Sequence, residues 1–340
     1  MALQTLWFVL WGLLWAVYFV LDGFDLGAGM LRTFLTREET DRRVSLASIG
    51  PVWNGNEVWL ITAGGATFAA FPATYASMFS FLYLPMLLIL FSLIIRGVSI
   101  EFRNKDESPG WRSTWDWALA VTSFTAPLVL GLGFGNIFQG LRFDATGWHG
   151  SFWQLFNPYG LLTAVLFVTL FLQHGARWLV YKTEGSLAEA AGRTASVLWW
   201  VVLVVAAAFL VLTGFSTKLY GNYLDHPYLF VVPLLAVVAL VGVKVLAARP
   251  LAAFLSSCAT ILLVVATGMV GLFPNLIPSA MDAASSLTIY NSSSGQYTLR
   301  VMTIVALVFV PIVVVYQLLV YRFFKSKTTR AEASEGEGGY

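Results

Sequence analysis

The 340-residue sequence is poor in the side chains that hold metals and redox groups: it has one cysteine, Cys258, and three histidines, His149, His174 and His226. A single cysteine excludes an intrachain disulfide and a cysteine-rich metal or iron–sulfur site. Charge is scarce too. Only 11% of residues are Asp, Glu, Lys or Arg, against about 25% in a soluble domain. The net charge of +2 is too small to suggest a nucleic-acid partner. What the sequence has instead is apolar surface, at 58% of residues. With about 20 apolar residues per membrane-crossing helix, this length holds about nine or ten spans. The composition therefore describes an all-α integral membrane protein.

Flanking charges and Pro or Gly punctuation mark nine stretches, roughly 4–31, 51–71, 77–98, 115–139, 158–181, 195–215, 227–246, 251–273 and 298–322. No cleavage site follows the first, which reads as a retained helix rather than a signal peptide. Basic residues then set the orientation, because they gather in short cytoplasmic loops. All of the 20 Lys and Arg except Arg142, Lys218 and Arg300 fall in the odd-numbered connections and the C-terminal tail. The expected topology is N-terminus out and C-terminus in. Residues 1–330 form a single polytopic domain, and the acidic, Gly-rich stretch 331–340 is expected to be a disordered cytoplasmic tail. The long outer connections 140–157 and 274–297 are expected to form structured caps.

An ionisable side chain at the middle of a span costs about 2.5–3.5 kcal/mol on insertion scales, so each one is a functional candidate. Asp22 and Asp25 lie three apart on one face of the first helix. Two carboxylates that close in apolar surroundings suit a group that takes up and passes on a proton. Alternatively, they cap the helix or pair with Arg32. The second helix opens at Gly50-Pro51, which puts Glu57 about 9 Å into the span, with Asn54 one turn earlier. Arg96 ends the third helix, and Asp116 begins the fourth between Trp115 and Trp117. Asp22, Asp25, Glu57, Arg96 and Asp116 thus collect toward the cytoplasmic ends of the first four helices. Two readings stand: an ion-pair network that fixes packing, and a proton-uptake route reaching part-way across.

Haem and metals need His, Met or Cys clusters. His149 and His226 lie in outer loops, and His174 stands alone as a packing residue. Gly131, Gly133 and Gly135 lie within a span, where they permit close helix approach. No metal motif, nucleotide site or nucleophile triad is present.

The run Asp22-Gly23-Phe24-Asp25-Leu26-Gly27-Ala28-Gly29-Met30 resembles the N-terminal signature of subunit II of cytochrome bd quinol oxidases. So does Gly50-Pro51-Val52-Trp53-Asn54-Gly55-Asn56-Glu57-Val58-Trp59 with the following Leu60 to Gly65. Phe71-Pro72, Arg96, Trp115-Asp116-Trp117, Gly133-Phe134-Gly135-Asn136 and Asn157-Pro158-Tyr159-Gly160 extend the resemblance over nearly the whole chain. It implies a heterodimeric terminal oxidase of the prokaryotic cytoplasmic membrane. A larger, homologous subunit I carries two b-type haems and one d-type haem and oxidises quinol near the outer face. O₂ is reduced to water with cytoplasmic protons, generating a proton-motive force. This chain then packs beside that subunit, is not catalytic alone, and supports assembly and proton supply.

The resemblance also allows for a structural quinone, membrane lipid and a small single-span subunit. It assigns Asp22, Asp25 and Arg96 to the family's paired aspartates and arginine. Some members carry a proton-channel aspartate where this chain has Asn54, so here the carboxylate is displaced one turn, to Glu57. A proton-coupled secondary transporter and a purely structural scaffold are the alternatives. A transporter would place its site at the midplane of an internal repeat, and no repeat is apparent.

Overall fold

The structure, a computed structural model, describes residues 1–36 and 38–330. The tail expectation for 331–340 lies outside the described residues. Twelve α-helices follow one another: α1 (Ala2–Leu35), α2 (Glu39–Ile49), α3 (Trp53–Ala70), α4 (Pro72–Phe81), α5 (Tyr83–Phe102), α6 (Pro109–Gln139), α7 (Pro158–Lys182), α8 (Gly185–Ser216), α9 (Gly221–Asp225), α10 (Val231–Val245), α11 (Pro250–Leu272) and α12 (Gln296–Phe323). Among the described residues, eight helical segments are long and apolar enough to cross a membrane. Each coincides with one of the nine expected stretches. The ninth, α3, is an 18-residue helix whose first turns carry Asn54, Asn56 and Glu57, and it is not one of the eight.

Two details differ from the expectation. The stretch 77–98 is not one helix: α4 ends at Phe81 and α5 starts at Tyr83. Pro85 supplies the reason, because it has no N–H to give the carbonyl four residues earlier and its ring crowds that carbonyl. The first inner connection, expected as loop, contains α2, which buries Val44, Leu46 and Ile49 against the bundle end.

α1 is the hub, packed against α3, α6, α7 and α11. Its contact with α7 is backbone to backbone. A Cβ at Gly27 would strike the Phe171 carbonyl, and one at Gly175 would strike the Gly27–Ala28 peptide. The glycines within the fourth expected span act the same way, since a Cβ at Gly131 would come within 2.5 Å of the Ala164 Cα. Small residues of this kind let membrane helices approach where no hydrophobic force draws them together.

The long connections 140–157 and 274–297 are ordered and joined. The first holds the hairpin β1 (Phe143–Asp144) with β2 (Gly147–Trp148), and the second pairs β3 (Asn275–Ile277) with β4 (Leu287–Thr288). Leu141 N–H donates to the Pro278 carbonyl at 2.9 Å, and Ala280 N–H donates back to Leu141 at 2.9 Å. Residues far apart in sequence therefore close one cap over the end of the bundle opposite Arg32 and Asp116.

Candidate functional site

The aromatic and acidic residues of α1 recur at helical spacing. Tyr18, Asp22 and Asp25 fall on one stripe, and all three are fully buried. Opposite them, Arg96 of α5 is also fully buried and grips Asp22 with both terminal nitrogens: Nη1 donates to Oδ2 at 2.8 Å, and Nη2 donates to Oδ1. This two-pronged geometry is the strongest form of the pair. Glu57 approaches the same guanidinium from α3, its Oε2 3.6 Å from Arg96 Nη1, with its side chain 24% exposed. Asp22, Arg96 and Glu57 are therefore brought together as the sequence suggested, from three helices.

Asp25 stands one turn nearer the Arg32 end of α1, on a different set of partners. Its Oδ2 accepts from Asn56 Nδ2 at 2.7 Å. The Asn56 carbonyl in turn accepts from Gln317 Nε2 at 3.0 Å and from the Tyr321 hydroxyl at 2.8 Å, both on α12. The other Asp25 oxygen, Oδ1, is buried with no hydrogen-bond partner among the described residues. Asp25 and Tyr18 both feel the charges of Asp22, Arg96 and Glu57. The result is three carboxylates and one guanidinium in a nearly dry interior.

Two expected members stand elsewhere. Asn54 lies on the exposed side of α3, and it is Asn56 that reaches the aspartates. The signal was in the sequence: the buried side of α3 runs Asn56, Trp59, Ala63, Thr67 and Ala70, a helical stripe on which Asn56 sits and Asn54 does not. Tyr18, Gln317 and Tyr321 are further additions. Tyr18 could have been read from its spacing to Asp22, whereas the two α12 residues carry no local signal.

Asp116 is not part of the Asp22–Arg96 group. It occupies a second, more peripheral layer, about 10 Å along α1 at 1.5 Å per residue, counting the seven residues from Asp25 to Arg32. There Asp116 receives Arg32, Arg103 Nε at 2.7 Å and Arg42 Nη1 at 3.1 Å. Arg32 therefore belongs to Asp116 and not to Asp22 or Asp25. Arg103 also clasps Glu39 of α2 at 2.7 and 2.8 Å. Burial works against charge on Glu39, but the Arg103 hydrogen bonds and the charges of Arg103 and Arg112 outweigh it and hold its carboxyl below the ordinary value. This layer fastens α1, α2, α5 and α6 together at their basic ends.

The residues do not fit a haem. His174 is fully buried, with Nδ1 2.6 Å from Ser257 Oγ and Nε2 2.9 Å from the Val20 carbonyl. Its ring is stacked on Phe254 at 4.9 Å, so neither nitrogen is directed at space for iron. His149 is engaged by Asp144 at 3.0 Å beside the β1–β2 hairpin. Hydrogen bonds from Thr146 and His149 bring the Asp144 carboxyl down to about 2. Among the described residues, no group of three or more His, Cys, Asp or Glu is placed to hold a metal.

The chain has relatives along nearly its whole length. The cytochrome bd ubiquinol oxidase subunit 2 of Bacillus subtilis (strain 168) is 36% identical, with 97% of this chain and 98% of the relative covered. The cytochrome bd-I ubiquinol oxidase subunit 2 of Escherichia coli (strain K12) is 38% identical, covering 94% and 93%. A chain of the bd oxidase from Geobacillus thermodenitrificans superposes with a TM-score of 0.78 at 19% identity, over 95% of this chain and 99% of that one, and so shares the fold. A profile described as cytochrome bd terminal oxidase subunit II matches residues 3–324. The polar layer between α1, α3 and α5 is thus framed by a bundle that matches its relatives almost end to end, and the chain belongs to the cytochrome bd terminal oxidase subunit II family.

Proposed function

We propose that this chain, the subunit II of a terminal quinol oxidase in the bacterial inner membrane, supplies protons from the cytoplasmic side to a haem-bearing larger subunit. The observation that carries this reading is the charge count of the inner layer. Asp22, Asp25 and Glu57 face the single guanidinium of Arg96. An apolar interior tolerates charge only when it is paired, so one carboxylate is satisfied by Arg96 and the others balance by holding protons. Loading and unloading those protons is what a relay does.

Asp22 is locked by two charge-assisted hydrogen bonds and serves to hold Arg96 in place. Asp25 has one free oxygen and Glu57 is partly exposed, which makes these two the exchanging groups. Glu57 takes over at position 57 what an aspartate at the position of Asn54 does in some relatives. Asn54 lies beside it on the outward side of α3, the side from which a proton leaves this chain.

In this reading the N-terminus is outside and the basic ends are cytoplasmic. Redox chemistry resides in the larger subunit's two b-type haems and one d-type haem, which supply electron transfer and O₂ reduction. A structural quinone and a small single-span subunit are further components. This chain does not turn over substrate by itself. The assembled oxidase bearing Glu57→Gln tests the proposal: oxygen consumption with quinol should fall about 100-fold, the low end of the 10²–10⁴ range of proton-transfer catalysis, at unchanged haem content. A haem-replete variant with undiminished turnover would overturn it.

A further inference from the structure

At the basic end of the bundle a cavity of about 720 Å³ opens between the ends of α7, α11 and α12, beside the start of α3. Its inner wall is aromatic. Trp178 and Phe254 meet at 5.2 Å, Tyr181 stacks on Phe254 at 6.1 Å, and Tyr321 closes the far side. Its rim is basic, with Lys182, Lys325 and Lys327 all lining it and no Asp or Glu among the lining residues.

The rim is also built. Lys182 Nζ donates to the carbonyls of Phe324 and Ser326, and Thr328 N–H donates to the Lys182 carbonyl at 2.7 Å. The chain leaving α12 is thereby stitched to the end of α7, which holds Lys325 and Lys327 at the mouth. Neither of those two has an ion-pair or hydrogen-bond partner among the described residues. From the same cavity, Leu251 and Leu255 run up α11, exposed toward the bilayer.

A site with cationic rim, aromatic walls and an apolar exit at a membrane surface matches one chemistry. We propose that this cavity binds the headgroup of an anionic phospholipid from the adjoining leaflet: the phosphate between Lys325 and Lys327, the glycerol against the aromatic wall, and an acyl chain along Leu251 and Leu255. Basic pockets between membrane helices attract such headgroups, while aromatic rings favour the interfacial depth. The ligand is a second, independent function of the chain and does not depend on the proton relay.

The test uses the purified two-subunit oxidase, stripped of lipid and titrated with phosphatidylglycerol, phosphatidylcholine or inorganic phosphate, with bound lipid counted by native mass spectrometry. The complex should retain phosphatidylglycerol and not phosphatidylcholine. Lys325→Gln with Lys327→Gln should weaken retention about 30-fold, the factor expected of two surface lysines, whereas Lys218→Gln at the opposite end should leave it unchanged. Equal retention of the two lipids, or undiminished retention in the double variant, overturns the proposal. So does displacement by inorganic phosphate at concentrations comparable to the lipid, which would mark a free-phosphate site. Retention seen only after removal of residues 331–340 would assign the cavity to the acidic residues Glu332, Glu335 and Glu337 instead, and overturns it as well.

Discussion

Removing the charge at Asp116 would leave Arg32 and Arg42 without their carboxylate partner and Arg103 with Glu39 alone. Breaking a buried pair by deleting one partner costs about 3–5 kcal/mol, because the remaining charge is buried without compensation. Asp116→Asn should therefore lower the thermal midpoint and the yield of the assembled oxidase while leaving turnover per haem unchanged. Glu57→Gln should do the reverse. A catalytic defect at full stability in Asp116→Asn would place that residue in the proton route after all. The contrast follows from position: Asp116 is saturated by three guanidinium groups, whereas Glu57 shares the edge of one that Asp22 already holds.

At the scale of elements, the α1–α7 crossing is where the bundle has least room. Gly27→Ala would drive a methyl group into the Phe171 carbonyl, and backbone cannot yield as a flexible side chain does. The two helices must separate, which pulls α1 and its aspartates away from Arg96. The expected outcome is loss of the assembled, protease-resistant complex, with Gly110→Ala, in the first turn of α6, as the control because its Cβ meets nothing within 4 Å. Equal resistance in the two variants would show that α1 can shift without harm. These crossings also show what the sequence made legible. Glycines inside apolar runs pointed to close packing, and lone acids in spans pointed to the polar layer. Which acid meets which arginine was not legible, because Arg32 and Arg96 lie on different helices and only their relative depth decides between Asp22 and Asp116. Gln317 and Tyr321 stayed hidden for the same reason: they are ordinary residues late in α12 until the fold lays α12 beside α3.

At the scale of the molecule, the bundle leaves some of its apolar helices largely uncovered by the rest of the chain. The most apolar stretch of α12 is not buried at all within the chain, while that of α7 is 78% buried. Much of α3 is also uncovered, with Ile61 73% and Phe68 61% exposed. Under the proposed relay, the larger subunit is expected to dock on this exposed apolar face, which has Glu57 at its margin. Ile61→Lys should therefore prevent the larger subunit from copurifying with this chain, since an uncompensated lysine on a lipid-buried face is costly. Copurification at wild-type yield would move the docking face away from α3.

The weak hydropathy of α3 has one more consequence, for biogenesis. A segment carrying Asn54, Asn56 and Glu57 in its first turns partitions poorly into lipid by itself. When it leaves the ribosome, α1 has been synthesised already and presents Asp25 as a hydrogen-bond acceptor for Asn56. That bond satisfies polar groups on both helices, so α3 is expected to enter the bilayer as the companion of α1: a chain truncated to begin after α1 should leave α3 poorly integrated in a membrane-insertion assay, and full integration would show that α3 needs no companion.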